Sequence, residues 1–419
     1  MKTKAVRLYG KDDLRLESFN LPPIADDEIL AKVVSDSICM SSYKAAKQGA
    51  EHKRVPDDVA KNPVIIGHEF CGELLQVGAK WADKYEVGSR FVIQPALNYK
   101  GSLDAPGYSY AFIGGDATYV IIPNEVMLMD CLMPYEGDAM FKGSLTEPFS
   151  CVVGAFHASY HVTRGTYDHK MGIRDGGNMA ILAGAGPMGL AAIDYAIHGE
   201  HRPSLLVVTD INAARLQRAA SILTVEEAAK CGVTLRYENT WNLLEPTLYL
   251  RKIAPQGFDD VFVLAPYSSL VETADKIMGT DGCLNFFAGP TDAAFSSQFN
   301  FFNVHYSGTH VVGTSGGNAQ DMREALQMIS DGTLNPAALV THIGGLDCVI
   351  ETTKNLPQIS GGKKLIYTGI SLPLTAIEDF EKLGETSPMF RRLHDICKEN
   401  NGLWCTEAEK YLLSAAKKI

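Results

Sequence analysis

The fold is decided by the stretch Met179-Ala180-Ile181-Leu182-Ala183-Gly184-Ala185-Gly186-Pro187-Met188-Gly189. An apolar run leads into a glycine-rich turn, and a second apolar segment follows it. This order predicts a buried strand, a tight turn and a helix, the unit that holds the pyrophosphate of a dinucleotide at a helix N-terminus. An ordinary glycine turn is the alternative interpretation. The residues predicted to contact the cofactor here are Gly184, Gly186, Pro187, Met188 and Gly189.

An acidic residue follows the next apolar run, where a ribose ligand is expected. Asp210 stands 21 residues after Gly189 and directly follows residues 205–209. A carboxylate there accepts hydrogen bonds from the adenosine ribose and repels a 2′-phosphate, so NAD(H) is favoured over NADP(H). Asp210 could instead cap the following helix. Arg215 is a further predicted cofactor contact, and with Arg218 it weakens the preference for NAD(H).

Further short apolar runs resemble the first, and most are separated by segments long enough for a helix. They cover residues 205–209, 233–237, 260–264, 283–287 and 309–312. Together with residues 179–183 they predict six strands of a doubly wound parallel α/β sheet.

The flanking regions have a different character. Before residue 150 the strand-forming runs predict a β-rich domain, and they cover residues 3–8, 28–35, 73–77, 90–94 and 117–122. A short helical stretch is expected from Cys39 to Gly49. The lysine-rich segment 51–61 and the glycine- and proline-rich segment 95–115 are expected to be surface loops.

The region after residue 313 returns to the first domain and then ends in a helical tail. Residues 319–330 predict a helix, and residues 339–343 and 364–367 predict two strands that rejoin the β-rich domain. Residues 371–419 have helical periodicity with charged faces, which predicts a helical appendage.

The composition limits the partners. A length of 419 residues with 46% hydrophobic content favours two domains. The net charge of -11, without a basic cluster, argues against nucleic acid. The nine cysteines are at least eight residues apart, so no C-x-x-C pair is present and a reducing compartment is indicated. No signal peptide or membrane anchor is predicted, and we expect a cytoplasmic protein without a membrane partner.

A second group of residues could bind a metal. Gly67-His68-Glu69 ends an apolar run, Cys39 precedes it, and Glu147 stands before Pro148. Thiolate, imidazole and carboxylate are zinc ligands, and a catalytic zinc keeps one position open. Each residue also has a structural interpretation, as a small buried cysteine, a core histidine or a charge at a helix N-terminus.

The order of these motifs resembles the zinc-dependent medium-chain alcohol/polyol dehydrogenase family over residues 1–370. The motifs are Cys39-x-Ser41, Gly67-His68-Glu69-x-x-Gly72, Glu147-Pro148, Gly184-x-Gly186-x-x-Gly189 and Asp210. Within the family the chain is most similar to reductases of L-sorbose 1-phosphate. The segments that carry this similarity are residues 9–16, 67–73, 122–127, 282–290, 313–318 and 361–369.

The resemblance implies a fold and a set of site residues. A GroES-like β-rich catalytic domain (residues 1–153 and 314–370) would be interrupted by a Rossmann domain (154–313), and the helical extension 371–419 lies outside the resemblance. Cys39 and His68 would bind one catalytic zinc per subunit, and Ser41 would pass the proton. Glu69 and Glu147 would meet the metal directly or through water.

Three residues depart from the family pattern. Met40 replaces a glycine, Ser42 replaces an acidic residue, and Lys44 stands where many alcohol dehydrogenases have a relay histidine. The outer part of a proton relay is therefore not expected to follow the usual pattern.

The implied activity is hydride transfer between NAD(H) and a ketose or polyol phosphate, with L-sorbose 1-phosphate reduced to glucitol 6-phosphate. Lys44 and Arg54 are candidate phosphate contacts, because a local cation must meet an anionic substrate in an acidic protein. The alternatives are a dehydrogenase of an unphosphorylated polyol or secondary alcohol, and a non-catalytic NAD-binding protein. The family also implies a homodimer or homotetramer.

Overall fold

Two units of structure make up the computed structural model, which describes residues 1–419. Unit 1 comprises Met1–Pro148, Asn318–Gly332 and Leu339–Ile419, and unit 2 comprises Phe149–Gly317 and Thr333–Ala338. No helix combines the length and the apolar character needed to cross a bilayer.

The chain contains nineteen strands and fifteen α-helices. The strands are β1 Lys2–Gly10, β2 Asp13–Asn20, β3 Ile29–Ile38, β4 Val64–Ile65, β5 Cys71–Val77, β6 Arg90–Ile93, β7 Tyr119–Ile122, β8 Leu132–Pro134, β9 Tyr160–Val162, β10 His169–Met171, β11 Asn178–Leu182, β12 Leu205–Asp210, β13 Thr234–Asn239, β14 Phe258–Val263, β15 Met278–Phe286, β16 His310–Val312, β17 Val340–Gly345, β18 Lys363–Tyr367 and β19 Thr375–Ala376. The helices are α1 Met40–Gln48, α2 Asn124–Leu128, α3 Met140–Ser144, α4 Thr146–Ala158, α5 Pro187–His198, α6 Ala213–Ile222, α7 Val225–Lys230, α8 Pro246–Ile253, α9 Ser268–Ile277, α10 Phe301–Ser307, α11 Ala319–Ser330, α12 Val349–Asn355, α13 Phe380–Gly384, α14 Pro388–Glu399 and α15 Thr406–Ala415.

Unit 2 is built on a six-stranded parallel sheet. Its strand order is β13-β12-β11-β14-β15-β16, so the first strand in the chain lies near the centre and the sheet grows outward in both directions. This is the doubly wound dinucleotide-binding order. All six predicted strands are present, which confirms the predicted fold class. The helix after the glycine turn, α5, is apolar on nearly all sides, and nine of its residues are therefore buried.

Unit 1 contains an eight-stranded sheet in the order β19-β17-β18-β3-β5-β6-β8, with β7 also pairing β3. Buried and half-buried residues alternate along the first half of β3, whereas the second half is buried on both faces. Strand β18 lies antiparallel to that second half, with Lys364 opposite Ile38. The two predicted late strands therefore join the sheet formed by the first 150 residues. The end of β3 delivers Cys39 directly from the centre of this sheet.

The tail is helical, as predicted, and packs within unit 1. Thr375–Ala376 pairs with β17 as an edge strand, and the first α-helix of the tail begins at Phe380 after one 3-10 turn, Ile377–Asp379. The buried Glu409 of α15 accepts hydrogen bonds from the backbone N–H groups of Met140 (2.6 Å) and Phe141 (2.8 Å) at the start of α3. The same carboxylate accepts a hydrogen bond from the hydroxyl of Tyr367, at the end of β18 (2.8 Å).

The expectation that residues 95–115 form a surface loop is wrong for part of the segment. Ala105–Tyr108 and residues 113–115 are buried. Gly107 has a positive φ of 81°, and a Cβ there would lie 2.0 Å from the carbonyl oxygen of Gly67. Glycine at this position therefore lets the loop pack directly on the chain beside His68.

Candidate functional site

The candidate metal ligands come from the end of β3 and from the irregular chain before β5. Cys39 occupies the N-cap position of α1, and His68 and Glu69 lie between β4 and β5. Gly67 has a φ of 90°, and a Cβ at this position would lie 2.3 Å from a carboxylate oxygen of Asp36, so a side chain does not fit. One ligand atom each from Cys39, His68 and Glu69 lies within 4.8 Å of the others. The structure thus brings three of the predicted metal ligands together.

Both carboxylate oxygens of Glu69 already have partners. Lys363 donates to one oxygen and the Ser37 hydroxyl donates to the other. Burial would raise the pKa of Glu69, but Lys363 and His68 outweigh it and hold this pKa below its usual range. Burial would lower the pKa of Lys363, but Glu69 raises it, so the two side chains form a buried ion pair.

Sequence reasoning did not single out Lys363. The only local signal is a pair of lysines at the start of a strand that is buried throughout. Lysine is almost never fully buried without a partner, and this signal therefore indicates a buried carboxylate elsewhere in the chain.

Glu147 lies in the first turn of α4 and is buried. Burial raises the pKa of Glu147 to about 7. The charge of His68 opposes this rise, and the charges of Glu69 and Cys39 add to it. It is thus a close neighbour of the other three side chains, although it is not part of the group within 4.8 Å.

His68 has a hydroxyl near each ring nitrogen. Nδ1 lies 3.4 Å from the Ser42 hydroxyl, and Nε2 lies 3.2 Å from the Tyr108 hydroxyl. Burial lowers the pKa of His68, which favours the neutral imidazole that metals bind. The predicted proton-passing residue, Ser41, has its hydroxyl 3.6 Å from the Cys39 sulfur. Tyr108 is a site residue that sequence reasoning missed.

This donor set fits zinc. It supplies a thiol, a neutral imidazole and one or two buried carboxylates, which are the ligand types of catalytic zinc sites. Burial and the charge of Glu69 raise the pKa of Cys39, so a bound metal would have to displace the thiol proton.

The predicted phosphate contacts lie in the same unit. Lys44 is on α1, and burial followed by the charge of Lys53 lowers its pKa, while the nearby Cys39 opposes the shift. Burial lowers the pKa of His52 to about 4, and the charges of Arg54, Lys53 and Lys44 act in the same direction. Lys44, Lys53 and Arg54 form a local group of positive charges beside the neutral His52 ring, and we call these three side chains the cation group.

The glycine turn of unit 2 has the shape that the sequence predicts. A Cβ at Gly189 would lie 1.9 Å from the carbonyl oxygen of Gly184, so this glycine is needed for close packing of turn and helix. A Cβ at Gly186 would meet no protein atom within 4 Å. Gly186 is the N-cap of α5, and Pro187 and Met188 form its half-buried first turn. The helix N-terminus is thus open on the side where an anion would bind.

Asp210 ends β12, beside the glycine turn. Its carboxylate accepts hydrogen bonds from the N–H groups of Ala185 (3.2 Å) and Asn212 (2.9 Å). The side chain that caps α6 is Asn212, which accepts from the N–H of Arg215 at 3.0 Å. The Arg215 side chain is exposed, whereas Arg218 donates to the carbonyl of Ala338.

Comparisons with known proteins agree with this architecture. Residues 25–131 match the model of the alcohol dehydrogenase GroES-like domain. The chain is 52% identical to L-sorbose 1-phosphate reductase of Klebsiella pneumoniae over 417 residues, which cover 100% of this chain and 98% of the relative. It is 49% identical to mannitol-1-phosphate 5-dehydrogenase of Aliivibrio fischeri over 413 residues, which cover 98% of this chain and 97% of the relative. The crystal structure of 2R,3R-butanediol dehydrogenase from Bacillus subtilis superposes with a TM-score of 0.70 at 20% identity, covering 87% of this chain and 99% of that one.

A GroES-like domain, a dinucleotide-binding sheet and a group of zinc-type ligands define the protein as an oxidoreductase of the alcohol dehydrogenase class. The chain belongs to the zinc-dependent medium-chain alcohol/polyol dehydrogenase family.

Proposed function

We propose that the protein catalyses hydride transfer between NAD(H) and a ketose or polyol phosphate, with L-sorbose 1-phosphate reduced to glucitol 6-phosphate. The observation that carries this proposal is the cation group next to the Cys39–His68 ligands in a protein of net charge -11. A sugar alone needs no cation, whereas a phosphate does. Two relatives that share about half of their residues with this chain are named for sugar or polyol phosphates.

Within this proposal, zinc is held by Cys39, His68 and a carboxylate. Glu147 is the favoured third ligand, because Lys363 and Ser37 already occupy both oxygens of Glu69. Glu69 then supports the site through its contacts with Lys363 and Ser37, without binding the metal itself. Zinc at this position would act as a Lewis acid on the substrate oxygen.

The chain's own residues handle the proton and the phosphate. The Ser41 hydroxyl can both donate and accept, so it is suited to pass a proton to or from the substrate oxygen. Lys44 and Arg54 bind the phosphate, Arg54 through a guanidinium whose planar donors match phosphate oxygens.

The cofactor is assigned to unit 2. Bound NAD(H) would supply or accept the hydride. The open helix N-terminus at Gly186 receives the pyrophosphate together with Gly184, Pro187, Met188 and Gly189. The carboxylate of Asp210 contacts the ribose and disfavours NADP(H), and the exposed Arg215 lies at the edge of this site.

We also propose the family's division of the chain, with residues 1–153 and 314–370 as the catalytic domain, 154–313 as the cofactor domain and 371–419 as an added tail. A homodimer or homotetramer is part of this proposal. Light scattering of the purified protein at micromolar concentration tests it, and a monomer would contradict it.

The activity is tested by substrate comparison with the zinc-loaded protein. NADH oxidation is measured with L-sorbose 1-phosphate and L-sorbose, and NAD reduction with glucitol 6-phosphate, mannitol 1-phosphate and glucitol. We expect kcat/KM to be at least about 100-fold higher for the phosphorylated partner, because a charge-assisted contact to a phosphate contributes on this scale. Equal kcat/KM on the unphosphorylated sugars would refute the phosphate assignment. A higher kcat/KM with NADPH than with NADH would refute the cofactor assignment.

A further inference from the structure

One aromatic side chain joins the metal-ligand group to the cation group. Tyr108 is only 5% exposed. Its hydroxyl lies 3.2 Å from Nε2 of His68, and the Ser41 side chain is near enough to oppose the rise in the pKa of Tyr108 that burial causes. Since the Ser41 hydroxyl is itself 3.6 Å from the Cys39 sulfur, the phenol hydroxyl lies among the groups expected to surround the reacting oxygen.

The ring of Tyr108 faces the cation group. The His52 ring stacks nearly parallel to it, with 5.7 Å between centroids and 7° between planes. The guanidinium carbon of Arg54 lies 5.6 Å from the centroid of the same ring. The guanidinium of Arg54 therefore lies against the face of the same ring that carries the hydroxyl.

The backbone of Arg54 is held from both directions. Its N–H donates to Nδ1 of His52 (3.3 Å), and its carbonyl accepts from the hydroxyl of Ser109, the residue that follows Tyr108 (2.6 Å). The structure gives the guanidinium no carboxylate partner. A preorganised guanidinium that lacks an anion is suited to bind a phosphate through two parallel N–H groups.

The partners of His68 indicate what the Tyr108 hydroxyl can do. A metal-bound histidine gives one nitrogen to the metal and uses the other for an orienting hydrogen bond. Nδ1 lies beside the Ser42 hydroxyl, whereas Nε2 lies beside the Tyr108 hydroxyl. A metal on Nε2 would replace the Tyr108 hydroxyl as the partner of that nitrogen, and the hydroxyl would become available to a substrate.

We propose that Tyr108 contacts the substrate directly: its hydroxyl hydrogen-bonds the sugar next to Cys39 and His68, and its ring positions Arg54 for the phosphate. This assignment rests on the proposed sugar-phosphate activity. It adds the residue that lies between the binding site of the reacting end and that of the phosphate. A ketose phosphate is then bound at its reacting end and at its phosphate by one stacked unit of Tyr108, His52 and Arg54.

Tyr108→Phe removes only the hydroxyl, and Tyr110→Phe is the matched control. Tyr110 lies in the same loop, and no polar contact of its hydroxyl is seen in the structure. For Tyr108→Phe we expect kcat/KM to fall about 10- to 100-fold on L-sorbose 1-phosphate, the change expected for one lost hydrogen bond to the reacting substrate. Zinc content, measured by elemental analysis, and NADH affinity should stay at the wild-type level. Tyr110→Phe should have the kcat/KM of the wild type.

Arg54→Gln tests the phosphate end separately. We expect KM for L-sorbose 1-phosphate to rise about 10- to 100-fold. Calorimetric titration of the zinc-loaded protein with inorganic phosphate should show weaker binding to Arg54→Gln than to the wild type. For L-sorbose, kcat/KM should change less than about threefold, which is within the effect of an ordinary surface substitution.

Several outcomes would overturn the assignment. If Tyr108→Phe kept kcat/KM within threefold of the control, the hydroxyl would have no contact with substrate. If zinc content fell in parallel with activity, Tyr108 would act only by holding His68. A wild type that uses no sugar phosphate would instead refute the proposed function. The Tyr108→Phe comparison would then be made on whichever alcohol the wild type oxidises, so the two failures can be told apart.

Discussion

Glu409 is expected to fasten the C-terminal tail to the rest of unit 1, and Glu409→Gln tests this. The carboxylate is 3% exposed and accepts three hydrogen bonds, from the N–H groups of Met140 and Phe141 and from the hydroxyl of Tyr367. Glutamine has the same shape but offers one oxygen and one NH2 group. In its best orientation the oxygen keeps Phe141 and Tyr367, while the NH2 group faces the N–H of Met140.

The cost is therefore the loss of one charge-assisted hydrogen bond and the burial of an unsatisfied N–H. A buried hydrogen bond to a charged group contributes about 1.5–3 kcal/mol, so we expect the free energy of unfolding to fall by about 2–3 kcal/mol. Glu407→Gln is the matched control on the same helix. Its carboxylate is exposed, and the change should be within about 0.5 kcal/mol.

Urea unfolding followed by tryptophan fluorescence measures this difference. Trp404 is buried in the tail and donates a hydrogen bond to the Tyr367 hydroxyl at 2.8 Å, so it reports on the contact directly. Trp81→Phe and Trp241→Phe make it the only tryptophan of the three in the chain. This local probe is preferable to a global melting curve, because a chain with two units need not unfold in one step. An unfolding free energy of Glu409→Gln within 0.5 kcal/mol of Glu407→Gln would refute this account.

Three further predictions concern the two candidate sites and one histidine. Lys363→Met leaves the buried Glu69 carboxylate without its partner, so the free energy of unfolding of the metal-free protein should fall by about 3–5 kcal/mol in urea; an unchanged unfolding free energy would contradict this. Gly189→Ala places a Cβ 1.9 Å from a carbonyl oxygen and should lower thermal stability. Gly186→Ala should keep the stability of the wild type and weaken NADH binding at least about tenfold in a fluorescence titration. The opposite ranking of the two variants would count against the glycine assignments. A hydrogen bond to Asp194 raises the pKa of His198, so the imidazolium stabilises the fold below about pH 6.5 and the effect disappears as pH rises through the raised value. The difference in unfolding free energy between wild type and His198→Asn should thus be about 1 kcal/mol at pH 5.5 and near zero at pH 9, and a pH-independent difference would exclude this linkage.

Local patterns in the sequence were sufficient to predict the sheet of unit 2. Each strand is a short apolar run, and the glycine turn fixes where the first helix begins, so nearby residues carry the information. The bounds of α11, Ala319–Ser330, follow from its periodicity in the same way. The tail helices could also be predicted from their periodicity. The exception is Thr375–Ala376, which is a strand because it pairs with β17.

The missed residues depend on contacts between distant parts of the chain. Lys363 and Glu69 are 294 positions apart, and no pattern in either segment predicts a contact with the other. The role of Tyr108 could not be predicted from the sequence for a different reason. Glycine- and proline-rich composition usually indicates an exposed loop, but the missing Cβ of Gly107 allows this loop to pack beside His68. A burial estimate based on composition cannot distinguish glycine that permits a turn from glycine that permits close packing.

The pairing of β3 with β18 has a consequence for synthesis of the protein on the ribosome. Lys364 lies opposite Ile38, so β3 is synthesised about 325 residues before the strand that pairs with its second half, β18. At 5–20 residues per second, the delay is roughly 15–65 s. The whole segment of unit 2 from Phe149 to Gly317 emerges during this interval, and its sheet can form from strands close in sequence. Until β18 arrives, the second half of β3, Ser35–Ile38, has an open strand edge, which makes the nascent chain a candidate client for chaperones that shield such edges.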